Sequence, residues 1–498
     1  MARDVVICKK NELEIDLECE QHILYELQEA FSFDVEGASF SPAYRKKYWD
    51  GKIRLLNMNK QTLPAGLTYR LCKWCDKHGY TWDFKNNPYY GLPYEQDERI
   101  FSDGVELFMN KIASVKPRKY QTDTVFNALK EYRKTIVSPT GSGKSLMIYS
   151  IVRYLKSIDK RTLIVVPSKS LVEQMYKDFI DYGWDEKYLH KIYGGLSKDS
   201  EAHVVITTWQ SVYGLDKFWF RQFDAVVGDE CHQFKAKSLQ GIMNKMPDCK
   251  WRYGFTGTLD GKQVHKLILE GLFGPVYNTT TSSELMEKGF LAKLSVDICI
   301  LKHEAQKFDT YNDEIEHLGL CDYRNQFISN LSCDLEGNVL VLFSWIEKHG
   351  LPLHEMMKET SKEQNVHLIY GETHVRDREA VREICEQSNN NIICASYGTM
   401  STGVNIKNLH HIVFAAPSKS KIRVLQSIGR SLRKAKGKDT AKLWDIADDF
   451  RKSTGGRENF TLRHCAERIA YYVEQGFTYR ITKIPVGMHS TGSGELPI

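Results

Sequence analysis

Thr135-Ile136-Val137-Ser138-Pro139-Thr140-Gly141-Ser142-Gly143-Lys144-Ser145 is the stretch that decides the fold of this chain. An apolar run of strand type ends at Ser138, and a helical pattern opens near Leu146. Between them, small residues and two glycines let backbone N–H groups curl inward where a helix N-terminus adds its favourable dipole. Such a loop cradles phosphate. Pro139, Thr140, Gly141, Ser142 and Gly143 form it, Lys144 meets the β and γ phosphates, and Ser145 holds magnesium. The strict pattern starts with Gly where this chain has Ser138, a residue small enough for the same turn. The bland alternative is a glycine turn before an ordinary helix.

Two further clusters bear on that choice. Asp224-Ala225-Val226-Val227-Gly228 reads as an apolar strand that delivers Asp229-Glu230-Cys231-His232. A carboxylate at the C-terminal end of a strand faces the ligand crevice of an open α/β sheet. Asp229 is placed to hold magnesium and Glu230 to take the proton of an attacking water, the alternative being two solvated acids. Much later, Gln426, Arg430 and Arg433 fall at i, i+4 and i+7 on one helical face. That face can bring two guanidinium groups to a γ-phosphate bound elsewhere. Lys434, Lys436 and Lys438 just downstream keep a merely solvated basic helix as the rival.

Short apolar runs alternate with helical patterns from about 110 to 290, with strands expected near Thr135-Ser138, Thr162-Pro167, His203-Thr207, Ala225-Asp229 and Tyr253-Thr256. That alternation argues a parallel sheet covered by helices. The pattern restarts after Ala292, near Leu294-Leu301, Val339-Phe343, Val366-Tyr370, Ile392-Ser396, His411-Ala415 and Ala441-Asp445. The fold class is therefore α/β, two tandem lobes with helices on both faces of parallel sheets. The expected division is 1–108 for a small N-terminal α+β domain, 109–291 and 292–455 for the lobes, and 456–498 for a terminal helix, strand and loose tail.

The chain's formal charge of +5 is too small for a global field to draw in nucleic acid, so any contact must be local. Residues 38 to 80 supply such a patch, with nine Lys or Arg against two Asp. Aromatics interleave with the charges, and Lys46, Lys47, Trp49, Lys52 and Arg54 are the candidate nucleic-acid contacts. A core Trp49 among solvated charges is the plainer reading. No apolar run approaches the ~20 residues of a membrane span, and Met1-Ala2-Arg3-Asp4 does not open a signal peptide. Twelve scattered cysteines fit reduced thiols and a cytoplasmic setting. Cys72 and Cys75 form one CxxC with no second pair nearby, which suits packing on a helix better than a four-ligand zinc site.

In order, these clusters resemble the motifs of superfamily 2 helicases. Pro117-Arg118-Lys119-Tyr120-Gln121 looks like the adenine-reading motif, with Arg118 and Gln121 beside the base. Ser138–Ser145 is similar to motif I, Pro167–Gln174 to motif Ia, Asp229–His232 to motif II, and Thr256-Gly257-Thr258 to motif III. Phe343-Ser344 sits at motif IV, Thr399–Ile406 resembles motif V, with Gly403 and Asn405 toward nucleotide, and Gln426–Arg433 resembles motif VI. Asn405 stands where many relatives carry Asp, and Cys231 where another group has Ala. Phe31-Ser32-Phe33 onward to Leu56, and Lys407–His411, are similar to the UvsW-type helicases of T-even bacteriophages. The resemblance implies two RecA-like lobes, ATP and magnesium as cofactors, and a DNA helicase or translocase. Its implied work is branch migration, fork regression and R-loop unwinding in phage recombination, replication and repair. The implied partners are branched or duplex DNA, R-loops with RNA, and recombination or single-strand-binding proteins. The implied place is the host cytoplasm.

A motor of this kind grips backbone phosphates more than bases. Pro167, Ser168, Thr208 and Gln210 in the first lobe, and Ser344 and Thr402 in the second, sit where strand-to-helix turns present hydroxyls and N–H groups, each with an ordinary cap as alternative. An RNA helicase and a non-enzymatic ATP-sensing clamp are the competing functions.

Overall fold

In the computed structural model, residues 3–35, 37–85, 97–259, 261–401, 406–432, 434, 438–452 and 456–485 are described. They form two units that divide after Thr280.

The first unit begins with a small four-stranded sheet in the order β5-β2-β1-β6, built from β1 (Val5–Lys9), β2 (Glu14–Cys19), β5 (Thr62–Pro64) and β6 (Trp82–Phe84). Alternation along β1 and β2 puts Val5, Ile7, Ile15 and Leu17 into one core. Helices Gln21–Ala30 and Thr68–His78 close over that face with Ile23, Leu24, Leu27 and Leu71. Cys72 and Cys75 lie in the same core, where burial pushes both thiols up, Cys75 to about 12. They pack as apolar side chains. A hairpin of β3 (Ser32–Asp34) and β4 (Lys52–Arg54) stands apart from the sheet.

This small sheet region is seated on the lobe that follows it. Gly66 lies against helix Gln263–Phe273 so closely that a Cβ there would come within 2.0 Å of the Glu270 carbonyl oxygen. Only glycine permits such backbone-on-backbone contact. Leu267 of that helix joins the small domain's core. Arg133, at the start of β7 (Arg133–Val137), donates to Glu12 Oε2 at 2.8 Å with both side chains nearly buried. Arg70 pairs with Glu270 at 2.8 Å.

The lobe itself is a seven-stranded parallel sheet, β13-β7-β12-β11-β8-β10-β9. Its central strands β8 (Thr162–Val166), β10 (Val204–Thr208) and β11 (Ala225–Gly228) are buried throughout, and β12 (Trp251–Thr256) nearly so. Two strands were not expected from the sequence, β9 (Leu189–Ile192) and β13 (Val276–Asn278). Both are short edges, with too few residues for a period to register.

The second unit repeats the architecture. Its parallel sheet runs β16-β17-β15-β18-β19-β14-β20. The strands are β14 (Lys293–Lys302), β15 (Val339–Phe343), β16 (Asn365–Ile369), β17 (Asn391–Ser396), β18 (His411–Phe414), β19 (Thr440–Asp449) and β20 (Thr478–Pro485). Helix Phe460–Glu474 is bolted to β19 by a wholly buried pair, with Arg468 Nη2 2.7 Å from Asp445 Oδ1 and the Tyr472 hydroxyl donating to Asp445 at 2.7 Å. Arg468 also reaches the Ser418 carbonyl, and Lys421 pairs with Glu474 at 2.6 Å. The C-terminal helix thereby fixes where helix Lys421–Ser431 begins.

Candidate nucleotide site and nucleic-acid interface

The candidate phosphate loop leaves β7 and enters helix Lys144–Ser157 directly. Gly141 and Gly143 take φ of +81° and +82°, the left-handed region where side chains are strained. At Gly143 space also forbids a side chain, since a Cβ would meet Gln121 Nε2 at 2.3 Å. The loop is braced from inside. Ser138 Oγ and Ser142 Oγ share a hydrogen at 2.6 Å, Ser142 Oγ donates to the Pro139 carbonyl at 2.6 Å, and Thr279 donates to Ser138 at 3.0 Å. Ser138, where a glycine would stand in the strict pattern, is therefore a structural hydroxyl.

Gln121 was expected beside the adenine. The structure finds it buried, with Nε2 donating to the Ser142 carbonyl at 2.8 Å and Oε1 accepting from the Arg118 N–H at 2.8 Å. One N–H and one lone pair of its amide are committed to holding the loop. Tyr120, which the sequence reading passed over, donates to the same Ser142 carbonyl at 2.6 Å, and Arg118 Nη1 donates to its hydroxyl at 3.1 Å. Lys144 Nζ makes a long contact, 3.4 Å, with the Ser138 carbonyl. Ser145 Oγ lies 3.1 Å from the hydroxyl of Tyr182, a second residue without a sequence signal because it ends a helix 37 residues later.

Asp229 follows β11 and is almost wholly buried. Burial and the neighbouring Glu230 push its carboxyl up, against the opposing pull of Lys144. A carboxylate desolvated beside a second acid is short of positive charge, and that is the condition a divalent cation relieves. Glu230 turns at φ +50°, a strained conformation for a non-glycine residue and one found disproportionately at functional sites. His232 Nδ1 is 3.3 Å from Glu230 Oε2 and 3.0 Å from Thr256 Oγ1. Thr256 Oγ1 in turn lies 2.9 Å from the Thr258 carbonyl. The first lobe thus gathers the phosphate loop, the acid pair and the Thr256–Thr258 turn at the C-terminal ends of adjacent strands β7, β11 and β12.

In the second unit, Gln426 is half-buried on helix Lys421–Ser431, which Ser420 caps by accepting from the Arg423 N–H. Arg430 belongs to that helix. Arg433, Thr402, Gly403 and Asn405 lie outside the described residues. Ser344 is exposed just past β15.

Among the first-lobe track candidates, Pro167 precedes Ser168, which caps helix Lys169–Asp181 with its Oγ 3.4 Å from the Leu171 N–H. Thr208 Oγ1 is 2.8 Å from Ser211 Oγ and nearly buried, while Gln210 is exposed. The N-terminal patch sorts into two groups. Lys52 pairs with Glu29 at 2.8 Å, Arg54 with Asp50 at 3.0 Å, and the half-buried Trp49 indole donates to the Lys52 carbonyl at 2.7 Å. These three shape the hairpin. Lys46 and Lys47 are exposed beside Tyr48, 84% exposed, and Phe40, 77% exposed, and neither lysine has an ion-pair partner among the described residues. Among the described residues, no helix is long and apolar enough to cross a membrane.

Three family models match this chain: DNA helicase UvsW, N-terminal, over residues 4–85; Type III restriction enzyme, res subunit, over 114–261; and Helicase conserved C-terminal domain over 323–435. The chain is 34% identical over 491 residues to the ATP-dependent DNA helicase uvsW of Enterobacteria phage T4, covering 93% of this chain and 96% of that protein. The crystal structure of T4 UvsW matches with a TM-score of 0.51 and 31% identity over 97% of this chain and 99% of that one. A fragment of a putative HsdR subunit of a type I restriction enzyme from Vibrio vulnificus matches with a TM-score of 0.58 over 78% of this chain and 72% of that one. Its 18% identity speaks to fold alone.

Proposed function

Because this chain belongs to the UvsW type of superfamily 2 DNA helicases, which are ATP-dependent motors, we propose that it remodels branched DNA. Its work would be branch migration, fork regression and R-loop unwinding in phage recombination, replication and repair. The observation that supports this reading is the likeness of nearly the whole chain, its N-terminal region included, to a DNA helicase of that type, while the tie from Glu230 through His232 to Thr256 supports the motor chemistry.

The chemistry follows from the residues. The backbone of Pro139 to Gly143 and Lys144 would bind the β and γ phosphates, with Arg118 and the uncommitted half of the Gln121 amide turned to the base. Ser145 and Asp229 would hold magnesium, which when bound neutralises phosphate charge. The electron-rich environment of Asp229 fits that ion. Glu230, steered by His232, would take the proton of the attacking water. Arg430 and Arg433 would stabilise charge on the γ-phosphoryl group as it passes from ADP to water, with Gln426 ordering the water and Gly403 and Asn405 bordering the nucleotide. Both lobes are needed, so hydrolysis would wait for DNA to bring them together.

For the track, Pro167, Ser168, Thr208, Gln210, Ser344 and Thr402 would hold one strand by its phosphates. Lys46 and Lys47, with Tyr48, would engage duplex or junction arms. Lys52, Arg54 and Trp49 would support them by fixing the hairpin.

ATP turnover on forked, four-way, R-loop, single-stranded DNA and RNA substrates tests the proposal, alongside ATP-dependent strand exchange. Branched DNA should stimulate most, and Glu230→Gln should bind ATP yet lose turnover and strand exchange. Stimulation by RNA equal to that by branched DNA would refute the DNA assignment. Turnover unaffected by Glu230→Gln would refute the assignment of the base.

A further inference from the structure

The chain segments that leave β14 and β19 line a hollow of about 790 Å³ that nucleotide hydrolysis does not use. The two segments are tied by the Gln306 N–H, which donates to the Phe450 carbonyl at 3.2 Å. Phe308 packs edge-on against Phe450, with centroids 5.0 Å apart, and gives the hollow an apolar wall. Lys307, Lys452, Arg457 and Arg463 also line it, and none has an ion-pair partner among the described residues. The first three are exposed, while Arg463 is half-buried with its guanidinium 4.9 Å from the centre of the Phe460 ring.

The acids around this sheet edge are occupied elsewhere. Asp448, fully buried on β19, takes Arg324 and His303 at 2.9 Å each. Asp449 takes Arg451 at 3.0 Å and Lys302 at 3.2 Å, and Glu458 lies 3.5 Å from Arg451. Glu314 is fully buried and accepts from the Phe460 and Thr461 N–H groups at 2.8 Å each. It therefore fills the N-terminus of helix Phe460–Glu474, so the hollow offers side-chain cations and not helix N–H groups. Among the described residues, Asp309 is the lining acid without such a partner. Four unpaired cations thus face one unpaired carboxylate.

We propose that this hollow holds a single strand of DNA by its backbone phosphates, an inference that rests on the DNA reading above. Position selects the ligand. In a parallel sheet the carboxyl ends share one edge, and Ser344 follows β15 at that edge. In the order β15-β18-β19-β14, β19 stands two strands from β15, roughly 10 Å at the usual spacing. A strand held at Ser344 can therefore meet Lys452 and Arg457 by continuing along the same edge. Charge selects it as well. The cations come from two separate segments, which suits repeated phosphates better than a single small anion. Phe308 adds an apolar surface on which a sugar or base can rest. Lysine and arginine heads on phosphate carry no sequence information, so the grip is indifferent to base.

The experiment uses the full chain with two probes, a single-stranded oligonucleotide carrying bromodeoxyuridine and bromodeoxyuridine monophosphate alone. Photo-cross-linking should join the oligonucleotide to peptides containing Phe308, Phe450 or Phe460, and the mononucleotide should leave them unlabelled. Lys452→Ala with Arg457→Ala should weaken single-strand binding about tenfold near physiological salt. It should also lower the slope of log affinity against log salt by about 1.4, two contacts' worth. Lys452→Arg with Arg457→Lys should retain both. Should the alanine pair fail to fold, cross-linking of the unmodified chain still decides. Unchanged affinity and slope in the folded alanine pair, or no cross-link to those peptides, overturns the proposal. Labelling by the mononucleotide alone overturns the strand in favour of a free nucleotide. An unmodified chain that binds no DNA overturns the function reading and this site together, whereas DNA binding left intact by the alanine pair overturns this site alone.

Discussion

His232 Nδ1 lies 3.0 Å from Thr256 Oγ1, so the residue that steadies the Glu230 carboxylate also holds the loop that follows β12. One imidazole therefore contacts both the acid proposed as the base and a neighbouring strand end.

His232→Ala should consequently depress DNA strand exchange more than ATP turnover. In a double-mutant cycle with Thr256→Ala the two losses should fail to add, with a coupling of about 0.5–3 kcal/mol. Parallel assays of turnover and branch migration check this, and simple additivity would separate the two residues.

Lys46→Glu with Lys47→Glu should weaken binding to branched DNA and make its salt dependence shallower. Each lost phosphate contact removes about 0.9 from the slope of log affinity against log salt. Lys52→Glu should instead disturb the hairpin by breaking its 2.8 Å pair with Glu29. Titrations at several salt concentrations, with a melting curve for each variant, distinguish loss of contact from loss of fold.

Arg433→Ala should leave nucleotide binding intact and lower DNA-stimulated turnover by about 10³-fold or more. Fluorescent nucleotide titration and steady-state turnover measure the two separately. Normal stimulated turnover would remove this arginine from the reaction.

The His303–Asp448 pair makes part of the second unit's stability depend on pH. His303 is raised from 6.5 to about 9 on folding, so its contribution is complete below about 6.5 and fades as pH rises through about 9. Asp448 is lowered: burial works against its charge, but Arg324 and His303 overcome it. Its contribution is present above the ordinary carboxylate range and is lost in acid. The Tm gap between the native chain and His303→Gln should therefore narrow as pH rises from about 6.5 to about 9. Calorimetry across that range tests it, and a constant gap would contradict the linkage.

Sequence alone settled the alternation of buried strands and helices in both lobes, because a strand covered on both faces must be apolar throughout. Val339–Phe343 and Thr162–Val166 are legible for that reason. It also located the glycine turn between β7 and helix Lys144–Ser157, the candidate phosphate loop, since backbone cradling of phosphate demands small residues at fixed spacing between a strand and a helix. Tertiary structure alone decided who supports that loop. Tyr120 and Gln121 meet the Ser142 carbonyl from 22 and 21 residues away, and Tyr182 meets Ser145 from 37. It decided likewise that Lys52 and Arg54 are already neutralised while Lys46 and Lys47 are not. Periodicity and spacing record which face of its own element a residue occupies, whereas hydrogen bonds and ion pairs depend on which other element lies opposite, and that is fixed only when the chain packs.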